Sequence, residues 1–196
     1  MTVAIIQYNA GNTRSVSFAL ERLGIIPLIT DNIEAIQSAD KVIFPGVGEA
    51  STAMQYLKER NLTKVIKDLT QPVLGICLGM QLLCNHSEEN DTPCLGIFNS
   101  HVRRFSFMNK ELKVPHVGWN QIQNTASPLF SNIEIESYCY FVHSYYATQC
   151  EQTIADTLYG ITFSAALQKN NFYGVQFHPE KSAGIGEQIL KNFLNI

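Results

Sequence analysis

The sequence predicts an α/β fold: a mostly parallel open sheet flanked by helices, with an antiparallel or mixed β portion appended in the second half. Short apolar runs alternate with amphipathic segments through residues 3–83, which is typical of β-α-β units. From residue 102 onward the apolar runs are β-branched and aromatic, with turn residues between them. At 196 residues and 45% hydrophobic content, the chain is long enough for a proper core, and we expect one domain over residues 1–196.

In the first half, the apolar runs predict strands over residues 3–8, 25–30, 41–45 and 72–76. Apolar residues at helical spacing predict helices over residues 15–23, 32–39, 50–60 and 62–69, and Gly24 ends the first of them. Strands that alternate with helices form a parallel sheet through right-handed crossovers. Because ligands bind at the carboxyl ends of such strands, we expect the glycine-rich segments 46–48 and 75–79 to meet at that edge.

In the second half, turn residues separate further predicted strands over residues 102–105, 113–123, 138–147, 153–159, 162–167 and 172–177. The polar run 87–91 predicts a solvated loop. The chain closes with an amphipathic helix predicted over residues 184–194.

The segment Gly-Ile-Cys-Leu-Gly-Met-Gln at residues 75–81 follows an apolar strand and leads into an apolar-rich segment. Glycines on both sides of Cys77 suit a sharp strand-to-helix turn, which presents a nucleophile where little space is available. A cysteine at a helix N-terminus also lies in the positive end of the helix dipole, which favours the reactive thiolate. Most free cysteines are small buried hydrophobes, but this setting predicts that Cys77 is a nucleophile.

A second motif, His178-Pro179-Glu180, follows the predicted strand 172–177. A cysteine nucleophile needs a base, and imidazole is suited to that role near neutral pH. Glu180, two residues beyond His178, is placed to accept from the far imidazole nitrogen and so to fix its orientation. The sequence therefore predicts a Cys77-His178-Glu180 triad.

The third motif is Pro-Gly-Val-Gly at residues 45–48. A tetrahedral intermediate needs two donors at its oxyanion, commonly backbone N–H groups. We expect these donors to be the amide of Leu78, which follows the nucleophile, and the amide of Val47, which lies between two glycines.

Taken together, the motifs resemble those of the class I (triad-type) glutamine amidotransferases. Within that family the resemblance is to glutaminase subunits of imidazole glycerol phosphate synthases, which serve histidine biosynthesis. It extends over nearly the whole chain, in residues 11–16, 45–48, 75–81, 87–89, 114–120, 141–146 and 174–182.

The resemblance implies a protein that hydrolyses L-glutamine without a metal or cofactor. It also implies a heterodimer with a (βα)8-barrel cyclase subunit that receives the ammonia. Glutamine's ammonium requires a carboxylate, for which Glu89 is the candidate, and its carboxylate requires donors such as the Gln81 amide. The other implied glutamine-binding residues are Gly46, Gly48, Ser144 and Tyr145. The candidates for the partner interface are Asn12, Asn120 and Lys181.

Some positions depart from the family pattern: Gln7, Asn9, Thr13, Glu49 and Ala50. They leave the triad intact but bear on which partner is served, so a paralogous glutaminase that feeds a sugar-modifying synthase remains an alternative. Another cysteine hydrolase or a chaperone-like member of the same superfamily is the second alternative. A purely regulatory subunit ranks last, because all three triad residues are present.

Composition excludes several other classes. The net charge of −3 and the absence of a Lys/Arg cluster larger than Arg103-Arg104 give no basis for binding nucleic acid or an anionic membrane. The beginning of the chain reads as a strand and not as a signal peptide. Five irregularly spaced cysteines predict neither a disulfide framework nor a zinc site, and we expect a reducing, cytoplasmic setting.

Overall fold

The computed structural model describes residues 1–107 and 112–196. The strands in this part of the chain are β1 (Val3–Ile6), β2 (Leu28–Thr30), β3 (Lys41–Gly46), β4 (Val73–Cys77), β5 (His86–Ser87), β6 (Thr92–Pro93), β7 (His101–Arg104), β8 (His116–Gln121), β9 (Tyr138–His143), β10 (Tyr145–Ala147), β11 (Thr153–Tyr159), β12 (Ile161–Lys169) and β13 (Phe172–Val175). The α-helices are α1 (Thr13–Arg22), α2 (Ile33–Ser38), α3 (Ala50–Glu59), α4 (Leu62–Lys67), α5 (Leu78–Leu83) and α6 (Ala183–Asn195). Short 3-10 helices cover Pro128–Phe130 and Pro179–Lys181.

Seven strands form the main sheet, in the order β11-β12-β13-β4-β3-β1-β2. The five strands from β13 to β2 are parallel to one another, and β11 and β12 are antiparallel additions at one edge. A four-stranded sheet, β10-β7-β5-β6, and an antiparallel pair, β8-β9, complete the second half. The predicted fold class is confirmed, including the mixed β portion.

Both faces of the main sheet are buried. Successive side chains of a strand point to opposite faces, so each strand contributes to both apolar clusters. In β1, Ala4 and Ile6 belong to one apolar cluster, whereas Val3 and Ile5 belong to the other. Helices α2 to α5 cover the first cluster, and α1 and α6 cover the second. Among the described residues, no helix has both the length and the apolar character needed to cross a membrane.

Three segments of the chain differ from the secondary structure predicted for them. The strand predicted over residues 138–147 divides at Ser144, and β9 and β10 then join different sheets. Of the strand predicted over residues 25–30, only Leu28–Thr30 forms a strand. The polar run 87–91 was expected to be a loop, but its first residue ends β5, which pairs with β6. A two-residue strand is too short to produce a recognisable alternation of apolar and polar residues.

The carboxyl ends of β3, β4 and β13 lie side by side. Gly46 is paired with Cys77, and Val175 is paired with Ile76. The two glycine-rich segments therefore meet at one edge of the sheet, as predicted, and the residues that follow β13 join them there.

Candidate active site

Cys77 lies on a sharp turn as the last residue of β4, immediately before α5 begins at Leu78. Its backbone has φ 52° and ψ −108°. Such a conformation costs a non-glycine residue on the order of 1–3 kcal/mol and is found most often at functional sites. The residue is only 6% exposed, and it lines a cavity.

Close packing requires the two glycines of this turn. A Cβ atom on Gly79 would lie 1.7 Å from the main-chain oxygen of Phe44, and one on Gly75 would lie 2.8 Å from the main-chain nitrogen of Met80. Both distances are too short for real contacts. The glycines therefore let α5 pack directly on β3 and β4, which fixes the position of the turn.

His178 follows β13 at the same edge. Its Nδ1 lies 2.7 Å from Glu180 Oε1, and both side chains are fully buried. The main chain is held at both ends: His178 N donates to Tyr140 O at 2.9 Å, and the Ser182 hydroxyl donates to His178 O at 2.7 Å. Because Nδ1 faces a carboxylate, it carries a proton and leaves Nε2 for the exchange with Cys77.

Neighbouring charges control the protonation of His178. Burial alone would lower its pKa, but the Cys77 sulfur and the Glu180 carboxylate outweigh burial and raise the pKa to about 10. Within residues 1–107 and 112–196, Nε2 nevertheless has no partner for a hydrogen bond of normal geometry. At neutral pH the imidazole carries its second proton.

Asn12 holds Glu180 from the other side. Its Nδ2 donates to Glu180 Oε1, the oxygen that also accepts from His178. Asn12 stands just before α1 with φ 79°, a left-handed conformation that asparagine tolerates. The sequence pointed to Asn12 as a residue of the partner interface, whereas its main contact in the structure is with the candidate triad.

Tyr8 supports the segment that leaves β3. Its buried hydroxyl donates to the Pro45 carbonyl at 2.7 Å, and burial, with a smaller effect from Cys77, raises its pKa well above the usual value. The hydroxyl occupies the space that a side chain at Gly46 would need, since a Cβ there would lie 2.1 Å from it. Sequence reasoning missed Tyr8, because its position under the segment depends on the pairing of β1 with β3.

The two candidate oxyanion donors, the amides of Val47 and Leu78, directly follow β3 and β4. Val47 lies between Gly46 and Gly48, and its carbonyl accepts from Gly11 N at 3.4 Å. Gly48 has φ +125°, a backbone conformation that residues with side chains rarely adopt, so this position favours glycine. Leu78 is the first residue of α5, and its N–H consequently has no partner within the helix.

A cavity of about 440 Å³ opens in front of Cys77. It is lined by Val47, Gly48, Cys77, Leu78, Gln81, Glu89, Pro115, Val142, His143, Ser144 and Tyr145. The structure thus brings together five of the six predicted glutamine-binding residues. The sixth, Gly46, is buried against Tyr8 and does not line the cavity.

Gln81 is positioned differently from the expectation. Its Nε2 donates to Tyr145 O and to Gln176 Oε1, both at 2.9 Å. The two amide hydrogens are therefore used inside the protein, and the predicted donation to a substrate carboxylate is wrong for this arrangement. Gln81 can offer a ligand its Oε1, which accepts hydrogen bonds.

Glu89 and Glu49 converge on the first turn of α3. Glu89 Oε2 accepts from Ala50 N at 2.8 Å, and burial raises the pKa of Glu89. Glu49 caps the helix by accepting from Ser51 N and Thr52 N. Burial opposes ionisation of Glu49, but these bonds outweigh it and lower its pKa to about 2. Glu89 keeps its second oxygen for a ligand, whereas Glu49, one of the departures from the family pattern, has a structural role.

His116 and His143 form a buried pair beside the cavity. Their facing nitrogens, Nδ1 of His116 and Nε2 of His143, lie 3.0 Å apart, and His143 Nδ1 lies 2.7 Å from Tyr145 O. Burial lowers the pKa of His116 to about 4 and that of His143 to about 3. Both rings are neutral at physiological pH, and they connect strands β8 and β9.

The outer side of the β8-β9 pair is an apolar surface, which we call the β8-β9 face and define as Val117, Trp119, Tyr138 and Tyr140. The first three are more than half exposed, at 56%, 53% and 52%. The Lys181 ammonium lies 6.0 Å from the centroid of the Tyr140 ring, at the border of this face. The face reaches the cavity, because Val117 is paired with Val142, which lines it.

Asn120, the remaining candidate for the partner interface, alternates with the residues of this face. Its Nδ2 donates to Leu158 O at 3.0 Å, and its Oδ1 accepts from Gln121 N at 2.8 Å. Its side chain is therefore engaged within the chain.

Comparison with known proteins identifies a family that the chain matches. The profile described as glutamine amidotransferase class-I matches residues 5–196. Imidazole glycerol phosphate synthase subunit HisH from Bacteroides thetaiotaomicron is 57% identical over 196 residues, covering 100% of both chains, and the subunit of that name from Bacteroides fragilis is also 57% identical with the same coverage. Among solved structures, PurLQS from Thermotoga maritima has a TM-score of 0.74 at 16% identity, covering 99% of this chain and 97% of that one.

Proposed function

The chain belongs to the class-I glutamine amidotransferases, and from this premise we propose that it hydrolyses L-glutamine as the glutaminase subunit of an imidazole glycerol phosphate synthase. The observation that carries the proposal is the strained Cys77 at the edge where the buried His178-Glu180 pair also lies. The 57% identity to subunits named HisH supports histidine biosynthesis as the pathway.

The reaction begins when the Cys77 thiolate attacks the side-chain amide carbon of glutamine. The carbon–nitrogen bond then breaks, and the protonated His178 gives its Nε2 proton to the departing nitrogen, which leaves as ammonia. The product on the enzyme is a γ-glutamyl thioester. The neutral imidazole takes a proton from water, the resulting hydroxide attacks the thioester, and cleavage of the carbon–sulfur bond releases glutamate and restores the thiolate.

The raised pKa of His178 gives the imidazole its role in this sequence. With a pKa of about 10, the ring is protonated before glutamine arrives. Its first task is therefore that of an acid toward the leaving nitrogen, and its task as a base follows in the second half of the reaction. Glu180, assisted by Asn12, keeps the Nδ1 proton in place through both halves.

The amides of Leu78 and Val47 hold the oxyanion in this proposal. Removing one such donor typically costs about 2.7–4 kcal/mol of transition-state stabilisation. The glycines on both sides of Val47 support a further step, in which docking of the partner turns the Val47 N–H toward the cavity. Hydrolysis would then be slow in the absence of the partner, so that glutamine is not wasted.

Glutamine occupies the cavity with its ammonium at the free oxygen of Glu89. A desolvated carboxylate with a raised pKa gains most from a cationic partner. Ser144 and Tyr145 bind the amino-acid end from the strand break between β9 and β10, and Gln81 contributes its carbonyl oxygen.

Ammonia passes to a partner subunit, which we propose is a (βα)8-barrel cyclase that forms a heterodimer with this chain. The β8-β9 face supports this, because half-exposed Trp and Tyr side chains beside a catalytic cavity are typical of a binding surface. Lys181 supplies a charge at its rim. The five cysteines are free, which suits a reducing cytoplasm, and we propose that residues 1–196 act as a single domain there.

Labelling with a diazoketone analogue of glutamine tests the proposal against other cysteine hydrolases of the superfamily. We expect one label for each chain, attached to Cys77, and protection by excess L-glutamine. A chain that stays unlabelled in the presence of its partner, or a label on Cys94 or Cys150 instead, would contradict the proposal.

A further inference from the structure

Gln176 connects the Cys77 sulfur to the glutamine cavity. It is the first residue after β13 and is completely buried. Its Nε2 lies 3.6 Å from Cys77 Sγ, and its Oε1 accepts from Gln81 Nε2 at 2.9 Å. Its own main-chain N–H donates to Ala165 O at 2.8 Å, which fixes the backbone.

The orientation of this amide follows from a single carbonyl group. Tyr145 O can only accept a hydrogen bond, so the Gln81 atom that faces it at 2.9 Å must be the nitrogen. The same nitrogen faces Gln176, so the Gln176 atom in that contact must be the oxygen. The Gln176 nitrogen is left to face the sulfur, and it points an N–H group at Cys77.

We propose that Gln176 is a thiolate-binding residue, which stabilises the ionised Cys77 sulfur by hydrogen bonding. The inference deepens the proposed function, because it assigns a second contact to the same reacting atom. A hydrogen bond to the charged form of a group favours that form. The un-ionised thiol has a poorer contact, since it donates to the Val142 carbonyl at the long distance of 3.9 Å.

The contact acts in both halves of the reaction. Before attack, it increases the fraction of sulfur present as thiolate. During thioester hydrolysis, the sulfur regains negative charge as it leaves, and the N–H group is already in place to receive it. His178 alone cannot stabilise the negative charge of the sulfur through both halves of the reaction, because it gives its proton to ammonia in the first half.

The test is the pH dependence of Cys77 alkylation by iodoacetamide in the full-length chain, which requires neither glutamine nor the partner. Mass spectrometry of the peptide that contains Cys77 separates it from the half-buried Cys94 and Cys150. Gln176→Leu keeps the approximate shape and removes the donor. Gln176→Glu keeps the acceptor for Gln81 and places a carboxylate beside the sulfur.

Gln168→Leu is the matched control. Gln168 is a half-buried glutamine of β12 whose amide also bridges two partners, the hydroxyls of Ser127 and Tyr173. It is paired with Tyr173 near the start of β13, at the edge of the sheet opposite the cavity. This variant loses comparable hydrogen bonds without affecting the sulfur.

In Gln176→Leu we expect the pH of half-maximal alkylation to rise by about one unit, the amount that loss of one charge-assisted hydrogen bond produces. The rate at the alkaline plateau should be unchanged or higher, because a less stabilised thiolate is the stronger nucleophile. Gln176→Glu should raise the midpoint as well, and Gln168→Leu should match the wild type. A midpoint that stays at the wild-type pH in both Gln176 variants would overturn the inference, as would a loss of plateau rate with no shift. Either result would leave the glutaminase proposal standing, since diazoketone labelling tests that separately.

Discussion

Replacement of Glu180 by glutamine removes the charge that faces His178 and preserves the shape of the side chain. In the structure the carboxylate accepts the His178 Nδ1–H at 2.7 Å, with both side chains fully buried. A hydrogen bond to a charged group contributes about 1.5–3 kcal/mol. Because about 1.4 kcal/mol corresponds to a tenfold change in rate, kcat should fall about 10- to 150-fold. The pKa of His178 should fall as well, because the imidazolium loses its counter-ion.

The assay is glutamate formation as a function of pH, with the partner present. In the wild type, the imidazolium that protonates ammonia is lost as the pH rises through about 10, so the alkaline limb is expected there. In Glu180→Gln this limb should move to lower pH. As the control, Glu187→Gln removes a carboxylate from the exposed surface of α6 and should change neither quantity.

The same shift affects stability, with a defined sign. The pKa of His178 is raised above its ordinary value of 6.5, so the stabilisation is fully present below pH 6.5 and is lost as the pH rises toward 10. Glu180→Gln should therefore lower the melting temperature more at pH 6 than at pH 10. A kcat within twofold of the wild type, together with an unmoved alkaline limb, would refute the assigned role of the carboxylate.

Three other variants test the packing, the loop and the interface. Gly79→Ala should destabilise the fold by at least about 3 kcal/mol, a drop of roughly 6–12 °C in a thermal melt, because its Cβ would lie 1.7 Å from a main-chain oxygen. As the control, Gly184→Ala has open space around its Cβ and should be neutral or stabilising. Equal melting temperatures for the two variants would contradict the close packing at Gly79. Tyr8→Phe leaves a buried carbonyl without its 2.7 Å donor and should cost about 1–3 kcal/mol in chemical denaturation, so an unchanged midpoint would count against its supporting role. Trp119→Asp should weaken partner binding about 30-fold or more in calorimetry. Ile26→Asp changes a residue that is also exposed but lies two residues before the edge strand β2, and it should leave the affinity unchanged. Equal affinities of the two variants would exclude the β8-β9 face as the interface.

Local features of the site could be predicted from the sequence because their chemistry lies in neighbouring residues. The glycines around Cys77 signal a tight turn by themselves, and Glu180 lies two residues from the histidine that it orients. The parallel order of the strands at the functional edge also followed from the alternation of strands and helices.

Features that depend on register could not be predicted. Gln176 and Cys77 are 99 positions apart, and their contact exists only because Val175 is paired with Ile76. The orientation of the Gln81 amide also depends on distant residues. Its Nε2 donates to Tyr145 O and to Gln176 Oε1, so Gln81 offers the cavity its oxygen and not its nitrogen.

The break at Ser144 was also hidden in the sequence. Residues 138–147 are rich in aromatic and apolar residues on both sides of His143-Ser144, and this pattern predicts one strand. A distant segment of the chain contacts the break, since Ser144 O accepts from Phe105 N at 3.0 Å. It brings Ser144 and Tyr145 to the cavity wall.

The most direct test of covalent catalysis by Cys77 is the glutaminase activity of Cys77→Ala in complex with the partner subunit, measured as glutamate release and accompanied by a thermal melt. We expect a loss of activity to the background rate with a melting temperature close to that of the wild type, because the small buried side chain changes little in volume. Glutamate release near the wild-type rate from a chain that lacks this sulfur would contradict the covalent mechanism.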